Sequence, residues 1–308
     1  MKFAFIMDPL HGVKAWKDTS YYLMLAARQR GHQVYHLDQN DLQLRDSQVI
    51  AEVCEVDVHD DIDHPFSPAD RMSTEMSTMD VVMVRTDPPF DRRYFYATLL
   101  LDLLPVTTRV INRPSGLRNW NEKLAATFFP DFTPATLVSR SIRQIHEFMQ
   151  QRGRLTLKPI DGHGGGGIEF VAPGDAAADM LIARATVDES RWIIAQEYLP
   201  AASNGDKRIL ILDGEPLGAI LRLAAEGMEL NNLDAGGTAN PATLFERDLE
   251  ICAAIKSGLI EQGIRFCGID VIGGQLIEIN VTSPTGLQEM CRFDNKDYHH
   301  RIIAALER

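Results

Sequence analysis

Two apolar runs flank a pair of glycines in the segment GIDVIGGQLIEINV, residues 268–281. Five odd-numbered positions of this segment carry Ile or Val, whereas three even-numbered positions carry the oxygen donors Asp270, Glu278 and Asn280. Successive side chains of a strand point to opposite faces, so this alternation predicts a β-hairpin with one buried face and one polar face.

The length of the turn decides whether these oxygen donors share a face. A two-residue turn at Gly273-Gly274 would put Asp270 on the face opposite Glu278 and would turn one isoleucine toward the polar side. A three-residue loop over residues 272–274, with Gly274 in the left-handed conformation, keeps Ile277 on the buried face and gathers the donors on the other. We therefore predict the three-residue loop.

Two carboxylates and an amide on one strand face suggest a metal site. The alternative is an ordinary solvated face, but such a face usually mixes acidic residues with Lys or Thr, and no cation lies nearby in this hairpin. Hard oxygen ligands suit Mg²⁺, which is usually bound by a few carboxylates together with water and phosphate oxygens. We predict that Asp270, Glu278 and Asn280 bind Mg²⁺, with Mn²⁺ as a possible substitute.

A glycine-rich stretch, LKPIDGHGGGGIEFV over residues 157–171, predicts a phosphate-binding loop between two strands. Glycine lets backbone N–H groups approach a phosphate closely, and Lys158 adds a positive charge on the preceding strand. The match to the dinucleotide pattern G-x-G-x-x-G is weak, because the chain continues as a strand rather than a helix. A flexible linker is the alternative; neither a Walker A motif nor the protein-kinase motifs occur.

Further cations lie near the third quarter of the chain, where Gly205-Asp206-Lys207-Arg208 opens one predicted strand and Arg222 ends the next. Taken alone they fit surface salt bridges equally well. Beside a glycine loop and a metal face, they suit clamps for phosphate or carboxylate groups.

Composition excludes several classes of protein. The 308 residues carry a formal net charge of −12 and form no Lys- or Arg-rich stripe, so we predict no nucleic-acid partner. No apolar run is long enough to cross a membrane, and the N-terminus lacks a signal-peptide core, so we predict no membrane partner. Four scattered cysteines without C-x-x-C spacing indicate reduced thiols in the cytoplasm.

Strand and helix patterns alternate over roughly the first 115 residues, with strands near 2–7, 33–37 and 80–84 and a helix over 21–30. This alternation predicts an open α/β layer. A second region opens at Asn119 with a helix from Asn121 toward Phe129, and a third begins near Asp206. Residues 224–242 lack periodicity, and a long irregular loop in a compact domain is usually a functional lid or disordered.

With these motifs the chain resembles the ATP-grasp enzymes, and more closely the bacterial glutathione synthetase family. The similar stretches run in order along nearly the whole chain: residues 6–9, 17–20, 85–91, 121–124, 157–165, 205–208 and 278–285. The resemblance implies an α/β (α+β) fold with an N-terminal open α/β pre-ATP-grasp domain over 1–118 and an ATP-grasp domain over 119–308. The latter divides into an ATP-binding subdomain, 119–200, and a C-terminal subdomain, 201–308, with the lid and the magnesium site.

The resemblance also implies an activity and its residues. The activity is ATP-dependent ligation of γ-glutamylcysteine to glycine through an acyl phosphate, in a homotetramer or homodimer. Arg208 and Arg222 would act on the reacting acyl phosphate. The residues implied in ATP binding are Lys123, Lys158, Gly162, Gly164, Gly165, Gly166, Gly167, Gln196, Glu197, Tyr198, Leu199 and Asp206. Those implied at the substrates are Asp18, Ser20, Arg85, Ser283, Pro284 and Thr285.

One segment departs from the family pattern. The family's lid usually carries arginines, whereas no Lys or Arg occurs from Leu223 to Glu246. Two other interpretations therefore stay open: an ATP-grasp ligase with another donor or acceptor, and a nucleotide-binding regulatory module without turnover. The complete Asp270, Glu278 and Asn280 set argues against the second, because a sensor could lose part of a metal site.

Overall fold

The structure, a computed structural model, describes residues 1–162, 164–225 and 236–308. These residues form three β-sheets with helices packed on their faces. Among the described helices, none has the length and apolar character needed to cross a membrane.

The first sheet contains seven strands and is mixed: β2, β1, β6 and β7 pair in parallel, whereas β3, β4 and β5 join them through antiparallel pairings. Its order is β3-β4-β2-β1-β6-β7, with β5 on the free side of β4. The strands are β1 (Lys2–Ile6), β2 (Gln33–Leu37), β3 (Leu42–Arg45), β4 (Gln48–Val58), β5 (Phe66–Glu75), β6 (Val81–Val84) and β7 (Arg109–Ile111). Helix α1 (Thr19–Gln29) connects β1 to β2, α2 (Arg92–Leu101) connects β6 to β7, and α3 (Pro114–Asn119) follows β7. The α/β layer predicted for this region is confirmed, and the carboxyl ends of β1 and β6 lead directly into Asp8 and Arg85.

The second sheet is antiparallel, in the order β10-β9-β11-β8. Its strands are β8 (Thr136–Ser139), β9 (Leu155–Pro159), β10 (Glu169–Val171) and β11 (Ile193–Glu197), covered by α4 (Ile142–Arg152) and α5 (Ala178–Thr186). A separate apolar core joins these elements, with Ile145, Leu157 and Ile182 fully buried. The glycine loop therefore connects two strands, β9 and β10, as predicted.

The helix predicted from Asn121 toward Phe129 is wrong. Only a short 3-10 helix forms, over Ala125–Phe128. The side-chain oxygen of Asn121 accepts hydrogen bonds from the backbone N–H groups of Lys123 and Leu124. Such local side-chain bonds compete with helix formation and explain the turn.

The third sheet is antiparallel, in the order β14-β13-β12-β15-β16. Its strands are β12 (Asp206–Leu212), β13 (Glu215–Leu223), β14 (Thr238–Ala242), β15 (Phe266–Ile272) and β16 (Gln275–Asn280). Helix α6 (Glu246–Gln262) precedes β15, and α7 (Leu287–Asp294) and α8 (Tyr298–Leu306) close the chain. Two apolar cores contain residues of both the first and third sheets, such as Phe5 with Leu210 and Val84 with Ile269.

The hairpin of β15 and β16 has a different turn from the one predicted. Gly273 and Gly274 have φ angles of 56° and 75°, and Ile272 pairs with Gln275, so the turn has two residues. The pairing then shifts, because Val271 pairs with Leu276 whereas Asp270 pairs with Glu278. The extra residue, Ile277, forms a β-bulge that returns Asp270 and Glu278 to one face.

Part of the segment predicted to be an irregular lid is regular structure. Residues 238–242 form β14, which pairs with β13 through contacts such as Arg222 with Ala239. Residues 226–235, the middle of that predicted lid, lie outside the described residues.

Candidate active site

A cavity of about 300 Å³ lies between the second and third sheets. Strands β9 and β11 with the glycine loop form one wall, and β12, β13, β15 and β16 form the other. The lining contains most of the residues predicted for ATP, metal and catalysis, together with one predicted substrate segment: Lys123, Lys158, Gly162, Gly164, Gly165, Gly166, Gln196, Glu197, Tyr198, Leu199, Asp206, Arg208, Arg222, Asp270, Glu278, Asn280, Ser283, Pro284 and Thr285. Gly167 is not among the lining residues; a Cβ there would lie 2.9 Å from Pro159 Cγ.

Two arginines surround the buried carboxylate of Asp270. Arg208, its cross-strand neighbour, donates through both Nε and Nη2, and Arg222 Nη2 lies 2.9 Å from Asp270 Oδ2. Burial opposes ionisation, but the two guanidinium groups hold the pKa of Asp270 below its ordinary value. Arg222 also donates to Asp206, whose pKa burial raises to about 6 against the effect of that arginine.

Two lysines approach the cavity from its other side. Lys123 Nζ lies 2.7 Å from Glu278 Oε1 and also donates to the carbonyl of Gly162. Lys158 Nζ donates to Gln196 Oε1 at 2.7 Å, and burial lowers the pKa of Lys158 to about 8. The cavity thus places four cationic side chains around a space lined by backbone glycines, an arrangement suited to phosphate groups.

The glycine loop uses conformations that side chains avoid. Gly164 and Gly165 have φ angles of 60° and 79°. A Cβ on Gly162 would lie 3.1 Å from the carbonyl oxygen of Gly166, so the loop is too tight for a larger residue there.

An apolar surface lines the part of the cavity next to β11, where a flat base could lie against Tyr198 and Leu199. The sequence analysis missed four contributors to this surface: Ile168, Phe170, Ile272 and Ile277. Ile277 was expected on the buried face, but the bulge turns it into the cavity and Leu276 is buried instead. A single inserted residue of this kind leaves no pattern in the sequence.

The residues predicted to bind a metal fit that role. Asp270 and Glu278 are direct cross-strand partners, and Asn280 Nδ2 lies 3.3 Å from Asp270 Oδ2. Among the described residues, no group of three or more His, Cys, Asp or Glu side chains forms a metal site of its own. Two carboxylates and an amide beside a phosphate-binding loop match the sparse protein ligation typical of Mg²⁺.

A second cavity, of about 250 Å³, opens at the carboxyl ends of β1 and β6. It contains the predicted substrate residues Asp18, Ser20 and Arg85, and it shares Asp87, Ser283 and Thr285 with the first cavity. The two cavities are therefore adjacent. Its other charged lining residues, which the sequence analysis did not single out, are Asp8, Lys14 and Lys17.

The predicted substrate residues also have structural contacts. Asp18 Oδ1 accepts from the Tyr21 N–H at 2.7 Å and caps α1. Arg85 Nε donates to Ser20 Oγ at 3.0 Å, and its Nη2 donates to the carbonyl of Pro284 at 3.0 Å. Burial raises the pKa values of Asp18 and Asp8.

Glu122 was not identified from the sequence as a site residue. Its Oε1 accepts hydrogen bonds from the Val281 N–H at 2.9 Å, the Thr282 N–H at 3.0 Å and the Thr282 hydroxyl at 2.8 Å. Burial and the neighbouring Glu278 carboxylate raise the pKa of Glu122. Its position next to Lys123 in the sequence was the one indication that Glu122 belongs to the site.

Comparison with known families and proteins gives matches over nearly the whole chain. Residues 1–118 match the N-terminal domain of prokaryotic glutathione synthetase, and residues 122–295 match the ATP-grasp domain of the same family. The glutathione synthetase of Vibrio vulnificus strain YJ016 is 39% identical, covering 100% of this chain and 98% of that protein. The glutathione synthetase of Gloeobacter violaceus is 43% identical, covering 98% and 95%.

Solved structures with a similar fold are more distant in sequence. The D-cycloserine synthetase DcsG aligns with a TM-score of 0.67 at 16% identity, covering 99% of this chain and 98% of that one. The ATP-grasp ligase PsnB with its minimal precursor aligns with a TM-score of 0.65 at 17% identity, covering 99% and 97%. These likenesses confirm the predicted fold class.

Proposed function

Because the chain belongs to the prokaryotic glutathione synthetase family, we propose that its first cavity binds ATP and a metal ion and that its second binds the acid donor. The chain is an ATP-dependent carboxylate–amine ligase, with γ-glutamylcysteine and glycine as the substrates that form glutathione. We assign ATP to the first cavity and the acid donor to the second because the two are adjacent: the first is rich in cations and oxygen ligands, and the second is lined by both acids and lysines.

In this proposal the ATP phosphates lie beneath the glycine loop. Lys123 and Lys158 neutralise their charge, and N–H groups of Gly162 and residues 164–167 donate to them. The base lies against the segment Gln196–Leu199 and the apolar surface that includes Ile277. Asp206 also lines this cavity and accepts a hydrogen bond from Arg222.

Asp270, Glu278 and Asn280 would hold the metal ion, Mg²⁺ or Mn²⁺. A bound Mg²⁺ supplies charge neutralisation and orientation for the transferred phosphoryl group. In the structure Lys123 and the arginines balance these carboxylates, and phosphate oxygens can take over as partners of the same cations.

The reaction needs two steps. An oxygen of the donor carboxylate attacks the γ-phosphorus of ATP, the bond from that phosphorus to ADP breaks, and an acyl phosphate forms. The amine nitrogen then attacks the acyl carbon, phosphate leaves with the electron pair of the broken C–O bond, and the amine loses a proton. Arg208 and Arg222 would neutralise the negative charge that develops on the acyl phosphate and on the tetrahedral oxyanion.

The second cavity has the chemistry needed for a γ-glutamyl group, which carries an ammonium and a carboxylate on one carbon. Asp8, Asp18 and Asp87 suit the ammonium, and Lys14 and Lys17 suit the carboxylate. Ser20 and Arg85 would position this end of the donor. Ser283, Pro284 and Thr285 would face the reacting carboxylate where the two cavities meet. A homotetramer or homodimer in the cytoplasm stays part of the proposal.

A ligase with a different acceptor is the second candidate. The observation that favours it is the absence of Lys and Arg from residues 223–246, where the family usually carries arginines. Loss of one charge-assisted contact of about 1.5–3 kcal/mol would weaken acceptor binding by roughly one to two orders of magnitude. We therefore expect weak selectivity for glycine as the acceptor, so that the enzyme also uses other small amines.

Product mass spectrometry tests the proposal. The purified chain is incubated with ATP, Mg²⁺, γ-glutamylcysteine and either glycine or a panel of small amines, with phosphate release measured in parallel. We expect glutathione with glycine and smaller yields of conjugates with amines such as alanine or serine. If no amine gives a γ-glutamylcysteine conjugate while another acid donor is consumed, the donor assignment is wrong.

A further inference from the structure

The segment Val281–Pro284 connects the predicted metal strand to the boundary between the cavities. Asn280, immediately before it, lines the first cavity, and Ser283 lines both. Val281 and Thr282 are almost completely buried, at 1% and 4% exposure, so the segment cannot shift without disturbing its surroundings. Its position therefore affects both cavities at once.

One side of this segment is held by the ATP-grasp region. A single carboxylate oxygen of Glu122 accepts three hydrogen bonds from Val281 and Thr282, and the Glu122 carbonyl accepts from the Ile279 N–H at 2.8 Å. The adjacent residue, Lys123, contacts Glu278 on the same strand. Two consecutive residues thus contact the metal strand and the segment that follows it.

The opposite side is held by the first sheet. Arg85 follows β6, and its guanidinium donates to the carbonyls of Thr282 and Pro284 and to the hydroxyl of Ser20. The guanidinium also lies 5.8 Å from the ring centroid of Phe266. Arg85 is 4% exposed, and the hydrogen-bond acceptors around it are neutral oxygens.

Such an arrangement is a costly way to gain stability. Burying a charge without a directly paired opposite charge carries a large desolvation penalty, which apolar side chains would avoid. The three hydrogen bonds of the Glu122 carboxylate and two of the three donated by the Arg85 guanidinium instead go to one four-residue segment, and the remaining one goes to Ser20. The geometry favours control of position over a gain in stability.

We propose that Glu122 and Arg85 are positioning residues that together fix the segment Val281–Pro284, and through it Asn280 and Ser283, relative to both cavities. The expected change in kcat/KM rests on the proposed function. The expected change in the position of residues 281–284 does not depend on the reaction. A positioning role requires a hydrogen-bond acceptor at residue 122 rather than a negative charge, so an amide should substitute for the carboxylate.

The test uses the full chain with Glu122→Ala, Glu122→Gln, Arg85→Ala and the double variant Glu122→Ala/Arg85→Ala. We expect Glu122→Ala to lower kcat/KM for γ-glutamylcysteine by about 100-fold, and Glu122→Gln by no more than about threefold, because its amide oxygen still accepts. The double variant should lose at least about fivefold less than the product of the two single losses, since both act on one segment.

Hydrogen exchange gives a readout that does not depend on turnover. The amides of residues 281 and 282 should exchange at least about tenfold faster in Glu122→Ala than in the wild type, and close to the wild-type rate in Glu122→Gln. Asp248→Asn is the matched control, because Asp248 is a buried carboxylate that accepts from Lys207 and a backbone N–H away from the cavities. It should lower Tm without changing exchange at 281 and 282 or kcat/KM.

Several outcomes would overturn the inference. If Glu122→Gln lowers kcat/KM as much as Glu122→Ala does, the negative charge of Glu122 matters rather than its hydrogen bonds. If the losses in kcat/KM multiply in the double variant, Glu122 and Arg85 act independently. If Glu122→Ala fails to fold, Glu122→Gln and its exchange rates still decide the question. If the wild type makes no glutathione, the proposed function fails, while the exchange at residues 281 and 282 still tests the positioning role.

Discussion

At the level of single residues, most charged side chains of the first cavity are paired with one another, whereas Lys158 donates to the neutral Gln196. Asp270 is paired with Arg208 and Arg222, and Glu278 is paired with Lys123. Each partner is of the type that phosphate or a divalent cation could replace. We infer that ligand binding exchanges these internal ion pairs for pairs with phosphate and metal, so that no charge is left buried alone.

Lys158 predicts a pH dependence. Burial lowers its pKa to about 8, so its ammonium loses the proton as pH rises through that value, and a phosphate contact is lost with it. We expect kcat/KM for ATP to fall above about pH 8, by up to tenfold per pH unit, because this constant reports the free enzyme. An ordinary lysine would retain its proton to about pH 10.

The measurement is the initial rate of ADP release across roughly pH 6.5 to 9.5, in the wild type and in Lys158→Arg. The guanidinium stays charged over this range, so the fall should disappear in the variant even if its overall rate is lower. A wild-type profile that stays flat through the alkaline range would show that the charge of Lys158 does not limit ATP capture.

That Lys158, Asp270 and their neighbours line one cavity could be predicted from the sequence, because they lie in short runs with characteristic spacing. Glu122 was not predictable on the same grounds. Its partner Thr282 is 160 positions away in the chain, and nothing local distinguishes it from a glutamate in an exposed helix. Contacts of this range depend on the packing of sheets, which one sequence does not show.

Among the secondary-structure elements, the hairpin of β15 and β16 has the predicted shared face but a turn of a different length. The requirement for one buried face correctly placed Asp270 and Glu278 together. The loop length was wrong because a β-bulge at Ile277 produces the same alternation with a shorter turn. Periodicity determines which side chains share a face, but not how the backbone achieves it.

Gly268 on β15 provides a test of how closely this sheet is fitted around Arg208. A Cβ at position 268 would lie 2.9 Å from Arg208 Cδ and 3.0 Å from Pro284 Cβ. The first contact is shorter than side chains adopt and the second is tighter than most, so we expect Gly268→Ala to displace Arg208 from Asp270. We expect kcat to fall by more than about tenfold, with a smaller change in KM for ATP because Lys123, Lys158 and the glycine loop are not substituted.

The control for this change is Gly218→Ala in the same sheet. Its Cβ would also be crowded, at 2.7 Å, but the neighbour is the sulfur of Met290, at the flexible end of a side chain. The control should keep kcat near the wild-type value, with both variants compared by steady-state kinetics and thermal unfolding. Equal kcat values in the two variants would show that the packing around Arg208 accommodates the added methyl group.

At the scale of the whole molecule, the first and third sheets share apolar cores, whereas the second sheet has its own. The first cavity lies between the second and third sheets, and the second cavity lies at the carboxyl ends of the first sheet. Alternation of strands and helices predicted β1, β2 and β6 of the first sheet but not β3, β4, β5 or β7. The two cavities meet at Asp87, Ser283 and Thr285, which come from two segments distant in the chain, so no local pattern could reveal the contact.

We propose that ATP activates the donor carboxylate as an acyl phosphate before the amine attacks. An isotope experiment tests this step with γ-glutamylcysteine that carries ¹⁸O in both oxygens of its cysteine carboxylate, together with ATP, Mg²⁺ and glycine. One donor oxygen is retained in the new amide and the other leaves with phosphate, so we expect one ¹⁸O atom in each phosphate released. Glutathione formed together with unlabelled phosphate would rule out the acyl phosphate, because the phosphate oxygen would then come from water.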